Sequence, residues 1–246
     1  MNKFVFLIPL AFAATSAFSA DASLLLKCSQ EAGSLRGQER KDAMLACLSP
    51  KETMHKNLIP AGVSFRPDAE LQKRDDDVLS ERGVVKGVDY KIFLADGSGS
   101  FSGEAGQHLI DDLTKLTADN HWSVACDRDA MTDRITCSLR RGDFAVYVGP
   151  TGKPSVSVGV ENFPGKPISV RLGNEKPISS NARNGNFDLS SSQKIVSNLS
   201  KYESFKTRFM KWPYENWIDQ ELSSFGFEAA FEYVKWAAQK SNQKKN

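Results

Sequence analysis

The chain has 246 residues, with 32 Lys and Arg set against 30 Asp and Glu for a formal net charge of +2. A balance this close to neutral supplies no field for nucleic acid or for a generally anionic surface. Hydrophobic residues at 40%, aromatics at 10% among them, are enough for a packed core and exclude a disordered chain.

The chain opens MNKFVFLIPLAFAATSAFSAD, with one early cation, Lys3, an apolar stretch from Phe4 to Ala14, and small residues Ala17, Ser19 and Ala20 ahead of Asp21. This order predicts a secretory signal over residues 1–19, cleaved after Ser19, because Ala17 and Ser19 are the small residues at the two positions the peptidase reads. The apolar stretch is too short to span a hydrocarbon core and no second one follows. Cys28 lies too far along, behind Lys27, for lipid attachment. The expectation is an exported protein, periplasmic or secreted, with no membrane span. Cysteines in such a compartment are expected to pair, and the four here allow three pairings. The local one, Cys28 with Cys47 and Cys126 with Cys137, is favoured because each pair brackets an element that returns on itself.

From Ser23 to Cys47 the text predicts two short helices, SLLLKCSQEA and QERKDAMLACL, joined by GSLRG and stopped by Ser49 and Pro50. Leu24, Lys27, Cys28 and Glu31 fall at helical spacing, as do Arg40, Ala43, Met44 and Cys47, so each helix turns its cysteine to one face. Helices this short are marginal alone, which gives a crosslink between them a physical purpose. The cysteines lack the two-residue gap of a zinc or redox pair. Cys28, Ala32, Leu35, Gly37, Glu39, Arg40, Lys41, Met44, Cys47 and Leu48 together resemble the short repeat of the PsiF family of exported, phosphate-starvation-inducible proteins. That resemblance covers residues 24–50 in one copy and implies a cysteine-stapled helical hairpin, placed here at residues 20–50, with export and no catalytic role.

Residues 51–86, which include the charge run QKRDDD, read as a polar connector. A larger β-rich domain follows over residues 87–240. It opens as a strand, a glycine loop and a helix whose stripe is Leu109, Ile110, Leu113 and Leu116. The run GSGSFSG sits where a phosphate cradle would lie, but its spacing matches neither the dinucleotide nor the P-loop fingerprint, so a flexible loop is expected.

Beyond it the hydrophobic period becomes two, through Trp122, Val124 and Cys126, then Ile135, Cys137 and Leu139, Phe144, Val146 and Val148, Val156, Val158 and Val160, and Ile168, Val170 and Leu172. With Gly and Pro in the turns GPTGKP and NFPGKP, the simplest connection is an antiparallel meander. Setting Cys126 opposite Cys137 puts Val124 opposite Leu139, a self-consistent register for a cross-strand disulfide. Ser190 and Gln193 predict a capping box before a helix with Ile195, Val196 and Leu199. Phe205, Thr207 and Phe209 predict another strand, and Phe227, Phe231, Val234 and Ala238 one face of a closing helix from about Phe225 to Lys240. Residues 241–246 are expected to form a basic, solvated tail. The order of WSVACD, ITCSL, FKTRFMKW and GFEAAFEYV resembles the invasion-associated locus B (IalB) family over residues 122–236. The resemblance implies a β-sandwich-like fold and a role at host cells, although that family usually carries a later cysteine pair where this chain has SSNARNGNFDLSS.

Candidates for chemistry are few. His55, His108 and His121 have no partner at metal-site spacing, so no metal or other cofactor is expected. Arg141-Gly142-Asp143 spells the integrin tripeptide, yet Gly142 and Asp143 read as the turn between two strands. No Gly-x-Ser-x-Gly elbow or nucleophile with its base is present. The stretch MKWPYENW nominates Trp212, Tyr214 and Trp217 as partner-binding residues, with core packing as the competing account and Pro213 marking an edge strand or bend.

The sequence thus predicts an α+β protein, an N-terminal disulfide-stapled helical hairpin plus an antiparallel β-sandwich-like domain closed by a C-terminal helix. The expected role is a non-enzymatic accessory or protein-binding module of the bacterial envelope, a monomer or weak oligomer with a protein partner and no nucleic acid. An envelope hydrolase with a scattered site, or a secreted host-interaction factor, is the alternative. Replacing Cys28 and Cys47 together by Ser is expected to cost the hairpin about 3 kcal/mol while the larger domain stays folded, as read by its denaturation midpoint.

Overall fold

The computed structural model describes residues 58–59, 63–74, 77–107, 116–181 and 185–243, all within a compact unit running from His55 to Asn246. The predicted hairpin with Cys28 and Cys47, and the helix expected from Leu109, lie outside the described residues.

Eight strands run in chain order, each antiparallel to the next: β1 (Glu70–Arg74), β2 (Asp77–Val85), β3 (Val88–Phe93), β4 (Gly99–Ser102), β5 (His121–Arg128), β6 (Ile135–Arg141), β7 (Phe144–Val148) and β8 (Pro154–Val158). Short connections favour this sequential pairing. The first two strands occupy the rear of the stretch read as a connector. Polar side chains hide the period there, since Ser80 and Glu81 are buried in β2 while Val84 is exposed. Half of the glycine run is likewise strand rather than flexible loop. Gly97 N–H donates to the Phe93 carbonyl and Phe93 N–H to that of Ser98, a tight turn that returns the chain as β4 and buries Phe101 completely. At Gly99 any side chain would collide with the β3 backbone at Lys91, which is why glycine stands there. β5 and β6 take the expected register, with Cys126 opposite Cys137 in a disulfide and Val124 opposite Leu139.

The meander ends at β8, earlier than the alternation suggests. A second antiparallel sheet follows, made of β9 (Ile168–Leu172), β10 (Ile178–Ser180), β11 (Ser204–Lys211) and β12 (Asn216–Ser223) in the order β10-β9-β11-β12. The reason lies in the NFPGKP segment, which crosses onto β11 instead of turning back. Phe163 N–H donates to the Met210 carbonyl and Trp212 N–H to that of Glu161. The vacant edge of β8 is taken by residues 185–187, where Val158 N–H meets the Gly185 carbonyl and Phe187 N–H that of Val156.

Helix α1 (Leu189–Leu199) buries Ile195, Val196 and Leu199 as expected, but its cap is Asp188 rather than Ser190. The Asp188 carboxylate accepts from Ser191 N–H at 2.7 Å, and its extended backbone leaves Ser190 already inside the first turn. Helix α2 (Phe227–Asn242) follows Gly226, whose φ of +81° and closeness to the Ser102 carbonyl admit no side chain without strain. Phe227, Ala230, Tyr233, Val234, Ala237 and Ala238 face the core, and the helix lies across β4 to β7.

Two aromatic groups hold these layers together. Trp122 of β5 stacks with Phe205 of β11 at 6.3 Å and meets Phe227 of α2 at 5.3 Å, while its indole N–H donates to the Phe225 carbonyl at 2.7 Å. Phe65 lies against Tyr90, Phe101 and Tyr233 at 5.2 to 6.5 Å. The fully buried Glu81 fixes that segment, accepting from Ser64 Oγ, Phe65 N–H, Arg66 N–H and the Tyr90 hydroxyl. Burial first, and then the bond to Glu81, push the Tyr90 phenol well above its usual range, so it stays a donor. Tyr90→Phe is expected to cost about 2 kcal/mol in urea denaturation, the worth of a hydrogen bond to a buried carboxyl group, with the fold retained.

Candidate functional site

The stretch MKWPYENW is the turn between β11 and β12. Met210 pairs with Trp217 and Lys211 with Asn216, leaving Trp212 to Glu215 as the tip, with Glu215 at a φ of +49°. Trp212 is 51% exposed, Tyr214 71% and Trp217 47%, so the three aromatics are surface groups and core packing does not account for them. Part of Trp212 is covered by Phe163, with ring centres 5.0 Å apart, because the Glu161–Phe163 segment bonds along the end of β11. Val160, at 60% exposure, precedes that segment and adds a further apolar group.

Strand alternation carries the tip onto the outer face of the second sheet. Phe205, Thr207 and Phe209 of β11 point to the core, so Lys206 and Arg208 point out. Register places Glu221 and Asp219 of β12 opposite them, and Arg171 and Ser169 of β9 on the other side. Arg208 grips Asp219 with two bonds, Nε to Oδ1 at 2.5 Å and Nη2 to Oδ2 at 2.6 Å, and its guanidinium lies 5.8 Å from the Trp217 ring. Lys206 reaches Glu221 at 2.8 Å, and Ser204 Oγ donates to the same carboxylate at 3.0 Å. Ser169 and Ser179 share a 2.9 Å hydroxyl bond. A groove of about 600 Å³ runs over this face, lined by Ser169, Arg171, Ser179, Lys206, Arg208 and Asp219 among others.

The charges on the face are held in place. The Arg208 hydrogen bond lowers the Asp219 carboxyl below the usual carboxylate range, and the bonds from Lys206 and then Ser204 lower Glu221. Arg208 is raised in turn by Asp219. Each group is therefore pinned in its ionised form at neutral pH.

The other candidates have structural employment. Arg141 of the integrin-like tripeptide is 2% exposed and donates to the Asp119 and Gly103 carbonyls, with Gly142 at a φ of +52° in the β6–β7 turn, so no adhesive tip is presented. His121 opens β5 with its Nδ1 2.6 Å from the Thr117 carbonyl, and burial lowers its pKa. His55 and His108 lie outside the described residues. Among the described residues no group of three or more His, Cys, Asp or Glu is arranged to hold a metal ion, and no helix is long and apolar enough to cross a membrane.

Sequence reading found the aromatics but missed β12. Ile218 and Leu222 keep its inward period, yet Gln220 stands between them and breaks the apolar alternation. Gln220 is inward because its amide accepts from Asp143 N–H at 2.9 Å and donates to Asp119 at 2.6 Å. With the geometry in view, comparison with known proteins adds nothing: no family model, no curated protein and no solved structure matches the chain.

Arg208→Gln is expected to raise the Asp219 carboxyl back toward the ordinary carboxylate range, as followed by carbon NMR titration. A depressed folded-state pKa means that the pair's contribution is present above the unfolded pKa and is lost as pH falls through the lower folded value.

Proposed function

We propose that this protein is an exported, non-enzymatic binding module of the bacterial envelope that contacts a protein partner through the β11–β12 tip and the outer sheet face behind it. The observation that carries the reading is the exposure of Trp212, Tyr214 and Trp217 together on one hairpin. Large aromatics left in water cost solvation, and at interfaces they contribute most of the affinity when buried in a partner's pocket. The neighbouring charges suit binding better than chemistry. Asp219, Glu221 and Arg208 are pushed away from neutral pKa values, whereas a general acid or base works best near the operating pH. The Cys126–Cys137 disulfide fits an oxidising compartment, in keeping with the secretory signal read at residues 1–19.

The test is crosslinking of the tagged protein in its own envelope. With Trp212, Tyr214 and Trp217 all changed to Ala, the captured partner is expected to fall to background while the thermal midpoint stays within about 2 °C, as for surface substitutions. Capture unchanged by the triple substitution would overturn the reading.

A further inference from the structure

We propose that the partner docks by strand addition: an extended segment pairs antiparallel with the free edge of β12, with an aromatic residue opposite Trp217 and basic residues opposite Asp219 and Glu221. The inference rests on the binding role above and names the chemistry of the partner.

Among the described residues the edge is open. β12 closes the order β10-β9-β11-β12, and among the described residues no backbone bond reaches Asn216–Ser223 except from β11. Its eight residues are exposed or half-buried apart from Leu222. The other edges are poorer templates, since β10 has three residues, β1 has five and β8 is covered by residues 185–187. Natural edge strands are usually blunted by charged side chains, lysine above all, by proline or by a bulge. β12 carries no lysine, proline or bulge, its register with β11 running unbroken over all eight pairs with Pro213 in the turn, and its two charges, Asp219 and Glu221, are engaged by Arg208 and Lys206 of β11. The strand is also preorganised, because Gln220 ties it to Asp119 and to the Asp143 N–H.

The charge pattern selects the occupant. Across the outer face the rows run Arg171, Lys206, Glu221 and Ser169, Arg208, Asp219, so each ends on a carboxylate at the open edge. A cation on the next strand meets a carboxylate of opposite sign, whereas an acidic residue there meets a like charge. Trp217 supplies the flat apolar neighbour for an aromatic or β-branched residue. A second copy of the chain is a poor occupant, since antiparallel self-pairing sets Asp219 and Glu221 against their own counterparts. In the direction of the incoming strand the recognition pattern reads basic, any, basic, any, aromatic, with its backbone supplying the hydrogen bonds.

The experiment uses the mature protein and a synthetic peptide, Thr-Lys-Thr-Lys-Thr-Trp-Thr-Val, with amide hydrogen exchange and fluorescence polarisation as readouts. Expected are binding, slowed exchange confined to alternate amides of β12, and an affinity about tenfold above that of the same peptide with both Lys replaced by Glu. Methylating the peptide nitrogens on the β12-facing side should abolish binding, while methylating those facing away should not, a control that leaves the protein unaltered. Equal binding of the Lys and Glu peptides, no protection of β12, indifference to the side methylated, or a homodimer protected along β12 would each overturn strand addition. Should the envelope crosslink still depend on Trp212, Tyr214 and Trp217 when the peptide fails, the binding role stands and only strand addition falls.

Discussion

The indole of Trp122 is the point on which the layers depend. Its faces and edges touch β7 through Phe144, β11 through Phe205 and α2 through Phe227, and its N–H closes onto the Phe225 carbonyl just before that helix begins. Two sheets and a helix thus share one side chain, with the Arg141 guanidinium 5.8 Å from its ring centre. A ring this large, fully buried and with its one polar group satisfied, contributes apolar area and fixes orientation at the same time. The position of the second sheet follows from it, and so does the direction in which the β11–β12 face looks.

A second constraint acts at the other end of the core. Glu81 is fully buried with four donors around it, three of them from residues 64–66, so the approach to β1 is tied to β2 and not free to drift. A buried carboxyl group is tolerable only when its oxygens are satisfied. The same bonds hold the Phe65 ring against Tyr90 and Tyr233.

Because α1 and the meander cover the inner side of the second sheet, its other side faces water. There the chain places paired charges and, at the hairpin tip, exposed aromatics. Exposed ion pairs add little to stability, and here they fix charge beside apolar surface. Gln220 links this face to the core side, through Asp119 and Asp143, and keeps the outer strand from fraying. The face is therefore held in place where its charges are, which would lower the entropic cost of the binding proposed for it.

Some of this was legible in the residues themselves. A strict period of two fixed β5 to β7 and the Cys126–Cys137 register, because a one-residue slip would turn every apolar side chain to water. Helical spacing identified α2 for a similar reason, with Phe227, Val234 and Ala238 of its buried face, while Phe231 is only partly buried and Ala230, Tyr233 and Ala237 went unread. Local pattern also singled out Trp212, Tyr214 and Trp217, since aromatics crowded beside a proline are uncommon in a buried strand. What local pattern could not supply was any element whose buried side chains are polar or whose partner is distant. β1 and β2 were hidden by Ser80 and Glu81, whose burial makes sense only with Gln72, Tyr90 and residues 64–66 around them. β12 was hidden by Gln220, satisfied by groups some eighty to a hundred residues earlier. Whether the aromatics faced core or water, and that β12 ends the sheet, were decided by tertiary structure alone, because exposure belongs to the assembled layers and not to the strand that carries the side chain.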